Sequence, residues 1–300
     1  MFNLDQLATL KAVVEDGTVA SAAARLGYSP SAVSQQLARL ESDARQVLMR
    51  KQGRNIVPTD AAHVLVRVAG EMASLEERAR AELELLTYRV SGAITLGAFP
   101  TAVRGISVAA IAALHERHPG VTVTLRDAPP EPGLAGVARG DLDLALIHDW
   151  TEDHLQIPSG VVTSHLGTDP VDLVLPVGHR LAGQEIIDIA DLDGENWVND
   201  SPGICSRQLL QSLRDRALDY RISCVLDDYQ SQVCATAYGL GLSLLPRLGR
   251  EPLPDSVVAV PLVDPPTRRI LIAYRRDSDQ RPALQALVRE LTAAWEGVAG

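Results

Sequence analysis

No stretch of this chain approaches the roughly 18 to 20 uninterrupted apolar residues needed to cross a bilayer. An export signal is missing as well: "MFNLDQLATLKAVVEDG" has acids where a basic end and a long apolar core would stand. A cytoplasmic protein is therefore expected. Cysteine is scarce. Cys205, Cys224 and Cys234 are spread out and form no C-x-x-C pair, which argues against a disulfide framework or a zinc knuckle and leaves reduced, mostly buried thiols. Catalytic signatures are absent too: there is no G-x-S-x-G, no phosphate loop, no G-x-G-x-x-G and no H-E-x-x-H. "HERH" sets His115 and His118 three apart with no third ligand placed by spacing, so it reads as a solvated pair. "DLDGEN" starts like a calcium loop but lacks the later acidic ligand and reads as a turn. No metal, no cofactor and no enzymatic activity are expected.

What remains is an ordinary globular composition, with 46% apolar and 22% charged residues over 300 positions, long enough for two or three folding units. The net charge of −10 argues against nucleic acid until its distribution is followed along the chain. Met1 to Pro58 holds seven Lys or Arg against five Asp or Glu, a net of +2 that leaves −12 for the rest. Between Arg39 and Arg54 the balance is five basic to two acidic. A mildly basic head on an acidic body suits a protein that docks one end on DNA.

Within that head, Leu4, Leu7, Leu10, Val13 and Val14 recur at helical steps, and Gly17 closes the first helix. Thr18 is placed to cap a second, whose narrow apolar face is read as Ala20, Ala23, Ala24 and Leu26. Gly27, Tyr28 and Ser29 make a short turn, with Ser29 as N-cap and Pro30 at the first position of a third helix, where its missing N–H is no loss. Val33, Leu37 and Leu40 then fall on one side, leaving Ser31, Ser34, Gln35 and Arg39 on the other. Short hydroxyl and amide side chains can reach base edges without holding the helix out of the major groove, as in a helix-turn-helix. The following "QVLMRKQGRNIVPTDAA" puts Arg50, Lys51 and Arg54 around Gly53 ahead of β-prone Ile56 and Val57, a short basic wing for flanking phosphates.

Residues 3 to 59 resemble the winged helix-turn-helix of the LysR-type transcriptional regulators, carried by "NLDQLATLKAVVEDGTVASAAARLGYSPSAVSQQLARLE". The chain departs from that pattern at Ala44-Arg45, where the family has Leu-Gly, at Leu48-Met49, where it has Leu-Phe, and at Ala62, where it has glycine. Loss of the glycine after the third helix raises the prospect of a re-formed turn and a shifted wing. From Thr59 to about Arg89 there is no proline, and Leu65, Val68, Met72, Leu75, Ala79 and Leu86 form a heptad-like seam interrupted by Glu82. This resembles the family's linker helix, which pairs two chains. "RVSG" is the expected hinge.

Beyond Gly92, "AITLGAF", "VTVTLRDA" and "DLDLALIHD" alternate with helical segments such as "VAAIAALHERHPG", as in a doubly wound sheet. A second set runs through "VDLVLPV", "ENWVND", "RISCVLDD" and "GLSLLP" before the chain returns through "VVAVPLV" and "RRILIAYRR" to a last helix near Pro282 to Glu296. Two lobes with crossovers near Ser164 and Pro265 imply a cleft. "HPGVTVTLRDA", "GDLDLALI" and "YGLGLSLLP" carry the likeness to the family's effector-binding domain, itself similar to periplasmic solute-binding proteins.

The resemblance thus implies an α/β protein: a winged helix-turn-helix over 1–58, a linker helix over 59–91, and a two-lobed effector-binding domain over 92–300. Lobe I would take about 92–164 and 266–300, and lobe II about 165–265. DNA contacts would fall on Ser29, Pro30, Ser31, Ser34, Gln35, Arg39, Arg50, Lys51 and Arg54. Effector contacts would fall on Pro100, Thr101, Ala128, His148, Asp149, Asn199, Ser201 and Asp228, with Thr101 the leading candidate. Asp149 and Asp228, if they face the cleft, disfavour a purely anionic effector. Double-stranded DNA, a small-molecule effector, a second copy of the chain and RNA polymerase are the implied partners. A cytoplasmic solute-binding or sequestering protein with a non-functional head is the alternative, kept open by Arg45. An enzyme using the cleft as its active site is a third.

Overall fold

The structure, a computed structural model, describes residues 2–52, 55–85 and 90–299. It forms two compact units, Met1–Ala81 and Glu82–Gly300. The first contains α1 (Leu4–Asp16), α2 (Val19–Leu26), α3 (Pro30–Ala44), an antiparallel hairpin of β1 (Met49–Gln52) and β2 (Asn55–Pro58), and most of α4 (Asp60–Leu85). Each short helix starts and stops where local chemistry requires. Asn3, Thr18 and Ser29 accept N–H bonds from the first turns of α1, α2 and α3, and Gly17 and Gly27 end α1 and α2 in the left-handed conformation at φ 74° and 71°.

The head has one core, in which Leu7, Leu10 and Val13 meet Ala22 and Ala23, Val33, Leu37 and Leu40, Leu48, and Leu65 and Ala69 of α4. α4 supplies Ala62, Leu65 and Ala69 to this core, and the two units divide inside that helix, after Ala81. The apolar face of α2 differs from the expected one. Ala22 and Ala23 are buried whereas Ala20 and Ala24 are exposed, since Val19, Ala22, Ala23 and Leu26 are the set that obeys the i, i+3, i+4, i+7 rule. Leu4, read into the apolar stripe of α1, is also exposed.

The second unit begins with β3 (Ser91–Ala98) and a helical run made of α5 (Pro100–Ala102), a π-helical turn (Val103–Ser107) and α6 (Val108–Arg117). β4 (Gly120–Asp127), α7 (Pro130–Arg139) and β5 (Leu144–Trp150) complete the first half. The chain continues through β6 (Val161–Pro176), β7 (Asn196–Asn199), α8 (Ile204–Asp215), β8 (Arg221–Val225), α9 (Tyr229–Ala237), β9 (Ser243–Pro246) and β10 (Val257–Pro261), and returns by β11 (Thr267–Arg275) to α10 (Pro282–Ala299). α7 is an addition to the elements expected from sequence. Pro130 sits in its first turn, where proline fits a helix.

Parallel pairing joins β4, β3 and β5 in lobe I and, as a separate two-stranded sheet, β7 and β8 in lobe II; β5, β11, β6, β9 and β10 join antiparallel. β6 is the spine of both lobes. Its first part pairs with β11 in lobe I, and from Val171 to Pro176 it pairs with β9 and β10 in lobe II. Since His165 to Pro170 still pair with β11, the crossover lies at the Pro170–Val171 step, not at Ser164. The lobe I core packs α6 and α10 on one sheet face and α7 on the other, while lobe II closes around Trp197 and Leu173.

Candidate functional site

The open face of α3 follows from its buried one. With Val33, Leu37 and Leu40 in the core, Ser31, Ser34, Gln35 and Arg39 are all exposed. Their hydrogen-bonding states differ. The Ser34 hydroxyl donates to the Pro30 carbonyl at 2.9 Å, so it can only accept from a partner, and Ser29 and Ser31 share a bond of 2.9 Å that helps to cap the helix. Pro30 is exposed at the same end. Gln36, one position further, is half-buried and ties α3 to α1 by accepting from the Thr9 hydroxyl.

Behind α3, the turn expected to be re-formed keeps a left-handed residue. Arg45 adopts φ 51° and ψ 35°, and its N–H bonds back to the Glu41 and Ser42 carbonyls. The Glu41 carboxylate then accepts the N–H groups of Leu48 and Met49 at 2.8 and 3.2 Å, fixing where the hairpin starts. Ala62, in place of glycine, is fully buried in α4 with its N–H directed at Thr59 Oγ1. Arg50 and Lys51 are exposed on β1; Gly53 and Arg54 lie outside the described residues. Along α4, Leu65 is buried in the head core and Val68 and Met72 are half-buried. Leu75 and Ala79 are exposed, and Leu86 of the expected seam, like Arg89 of the hinge, lies outside the described residues.

The second candidate site is a cleft of about 1090 Å³ between the lobes. Lobe I contributes Phe99, Pro100, Thr101, His148 and Arg268, and lobe II contributes the Asp200–Arg207 segment together with Asp227, Asp228 and Tyr229. Pro100, Thr101, His148, Ser201 and Asp228 of the expected set therefore line it. Ala128, Asp149 and Asn199 do not. Ala128 is buried in the lobe I core on the α7 face. Asn199 is buried and donates to the Ser206 hydroxyl at 2.8 Å. Asp149 is buried in a two-pronged ion pair with Arg269 at 2.8 and 2.6 Å and accepts the Leu155 N–H. Strand alternation explains the contrast: on β5 His148 shares a face with Leu144 and Leu146, and Asp149 shares the opposite one with Ala145 and Ile147.

At the floor of the cleft lies a side chain the sequence reading missed. Arg268 is 1% exposed, ion-paired with buried Asp169, bonded through Nη2 to Thr101 Oγ1 at 3.1 Å, and stacked 5.3 Å above the Phe99 ring. Burial pulls its pKa down, but the Asp169 charge and hydrogen bond outweigh this and the guanidinium stays above its ordinary value. Asp169 also accepts the N–H groups of Arg247 and Leu248, anchoring the loop that carries Gly249. Gly249 is left-handed at φ +63°, and a Cβ there would stand 2.2 Å from the Thr101 carbonyl oxygen, so this close approach requires glycine.

Burial also sets the protonation of the remaining polar lining. It holds the His148 pKa well below 6.5, with the Arg268 charge adding to the effect, so the imidazole is neutral. It pushes the Cys205 thiol up to about 12 and the Tyr229 hydroxyl well above its usual range, Cys205 contributing. Asp200 is raised to about 6 by burial, against a pull from its Gln232 hydrogen bond and with a further push from Asp227. Asp228 is also pushed up by burial, but its bonds to Ser231 leave it below the usual carboxylate value.

The comparisons with known proteins agree across both units. Residues 4–63 match "Bacterial regulatory helix-turn-helix protein, lysR family", and residues 89–296 match "LysR substrate binding domain". The chain is 26% identical over 286 residues to the probable HTH-type transcriptional regulator LrrA of Synechococcus elongatus, covering 95% of each chain. It is 28% identical over 313 residues to the DNA-binding transcriptional dual regulator OxyR of Escherichia coli K12, covering 98% of this chain and 96% of that one. A full-length OxyR variant from Pseudomonas aeruginosa shares the fold with a TM-score of 0.68 at 17% identity, covering 97% of this chain and 95% of that one. Among the described residues no helix is long and apolar enough to cross a membrane. With family matches over both the head and the cleft-bearing unit, the chain belongs to the LysR family of DNA-binding transcriptional regulators with an effector-binding domain.

Proposed function

We propose that Ser31 and Gln35 read base edges in the major groove while Arg50 and Lys51 hold flanking phosphates, and that a small molecule in the cleft controls this contact. The observation that carries the reading is the exposed row on α3, whose opposite face is locked into the head core. Gln35 is the strongest reader in that row, because its amide can donate and accept at once whereas the Ser34 proton is engaged within the helix. Exposed Leu75 on α4 gives a second copy of the chain an apolar contact, so that two heads can meet a two-part operator. Working on DNA, the chain would act in the cytoplasm. Its relatives are regulators, not enzymes, and the cleft is read as a binding site whose occupancy biases one lobe arrangement over another.

The test is fluorescence anisotropy on the DNA upstream of the chain's own coding region against shuffled DNA, over a salt series. Gln35→Ala is expected to weaken the specific site by about 1 to 3 kcal/mol with little change on shuffled DNA. Lys51→Ala is expected to weaken both and flatten the salt slope by about one unit. Equal losses on both DNAs for Gln35→Ala would remove α3 from base reading.

A further inference from the structure

Five carboxylates line the cleft, Asp127, Glu131, Asp200, Asp227 and Asp228, against two arginines, and both arginines are already compensated. Arg268 is held by Asp169, and Arg207 by Asp153 at 3.1 Å and Glu131 at 3.7 Å. Among the described residues, Asp200, Asp227 and Asp228 form no ion pair. Asp227 and Asp228 accept N–H bonds from Ser201 and Ser231 at the rim. A carboxylate ligand would enter a field of its own sign, and an ammonium a field of the opposite sign.

A second, independent feature points to a ligand. His148 is 2% exposed and lines the cleft, and its Nδ1 is buried with no hydrogen-bond partner. Such an orphaned group costs free energy unless something binds it. Its state follows from its neighbours. Tyr229 donates its hydroxyl proton to Cys205 Sγ at 3.9 Å, and the thiol, which keeps its own proton, stands 3.9 Å from His148 Nε2. With S–H directed at Nε2 the ring proton of the neutral imidazole is on Nδ1, a donor, and with Nε2–H directed at the sulfur Nδ1 is an acceptor, so a hydroxyl or amide group on a ligand satisfies it in either tautomer. The walls between this nitrogen and the acidic rim include Phe99, Pro129, Pro130 and Ile204.

We propose that the cleft takes a small organic amine bearing a hydroxyl or amide group on an apolar body, its ammonium among Asp200, Asp227 and Asp228 and that polar group on His148 Nδ1. This deepens the reading of the cleft as an effector site and rests on it. Amino alcohols and amino amides have this pattern; plain carboxylic acids do not.

The experiment is calorimetry and thermal shift on the full chain with two matched pairs, phenylalaninol against 3-phenylpropanoate and leucinol against 4-methylpentanoate, at about pH 7.5, where both amines are charged. At least one amino alcohol is expected to bind about tenfold or more tighter than its paired acid, with affinity falling as salt rises. Asp200→Asn is expected to lower that affinity by about tenfold while leaving the thermal midpoint of the free protein at or above wild type. His148→Phe, which keeps an aromatic ring against Phe99, is expected to narrow the difference between an amino alcohol and the amine lacking the hydroxyl. Tighter binding of the acids, or no binding of either amine up to about 10 mM, overturns the proposal. No DNA is present in this measurement, so a failed operator assay sinks the base-reading proposal without touching this one.

Discussion

The head and the cleft handle polar groups in opposite ways. On α3 the serines, Gln35 and Arg39 stand in solvent on a helix stabilised from behind by leucine, valine and alanine. At the cleft floor, Arg268, Asp169, Thr101 and His148 are each 3% exposed or less, and Arg268 is tied to both Asp169 and Thr101. The difference follows from the partner. DNA is a charged, hydrated surface that meets exposed groups, whereas a small ligand enclosed between lobes must be met by groups held in place before it arrives.

The largest effect that would break this comparison is expected at Asp169. Asp169→Ala leaves Arg268 buried without its counter-charge and frees the Arg247 and Leu248 N–H groups, so the effector domain should lose about 3 to 5 kcal/mol in urea unfolding. Gln35→Ala should change stability by less than about 0.5 kcal/mol while altering DNA selectivity. A comparable stability loss for the two variants would show that the face of α3 is as interlocked as the cleft floor.

A smaller effect concerns Cys205. Although it lines the cleft, its pKa near 12 keeps it a thiol at neutral pH, and the thiolate is the reactive form. Alkylation of Cys205 by iodoacetamide, followed by peptide mass spectrometry at about pH 7.5, should run at least roughly tenfold slower than that of glutathione. A rate equal to or above glutathione's would mean the cleft stabilises the thiolate after all.

The same contrast explains what can be read without coordinates. Helical periodicity exposes a face directly, so α3, its Ser29 cap and its polar row are legible, and the error on α2 is one of phase between Ala20 with Ala24 and the buried Ala22 with Ala23. In the strands, alternation holds information that the sequence reading leaves unused. "TRRILIAYR" puts Arg268 in step with buried Ile270 and Ile272, and "LALIHDW" puts Asp149 out of step with His148. What alternation does not name is the counter-charge, since a buried arginine depends on a distant carboxylate, here Asp169 on β6, that no local pattern identifies. The acidic rim is glimpsed at Asp228 and misassigned to Asp149; Asp200 and Asp227 belong to loops whose approach only the fold defines.

The smallest expected effect returns to the head, at Arg45, its one strained position among the described residues. A left-handed backbone costs a side-chain-bearing residue about 1 to 2 kcal/mol, and Arg45 adopts it where only the N–H bonds to Glu41 and Ser42 are needed from the turn. Glycine would relieve that cost but give the unfolded chain more freedom, worth about 0.4 to 1 kcal/mol the other way. Arg45→Gly should therefore stabilise the head by about 0.5 to 1 kcal/mol, and Arg45→Ala, which keeps the strain, should change it by less than about 0.5 kcal/mol. Chemical denaturation of the three proteins decides the matter. If glycine destabilises, the arginine side chain supports the turn, and the head is more like the cleft than its open α3 face suggests; if it stabilises and DNA binding is unchanged, Arg45 is a tolerated strain behind an intact reading face. Stabilisation with weaker binding to every DNA would instead assign Arg45 a phosphate contact, extending the basic edge from the hairpin to the end of α3.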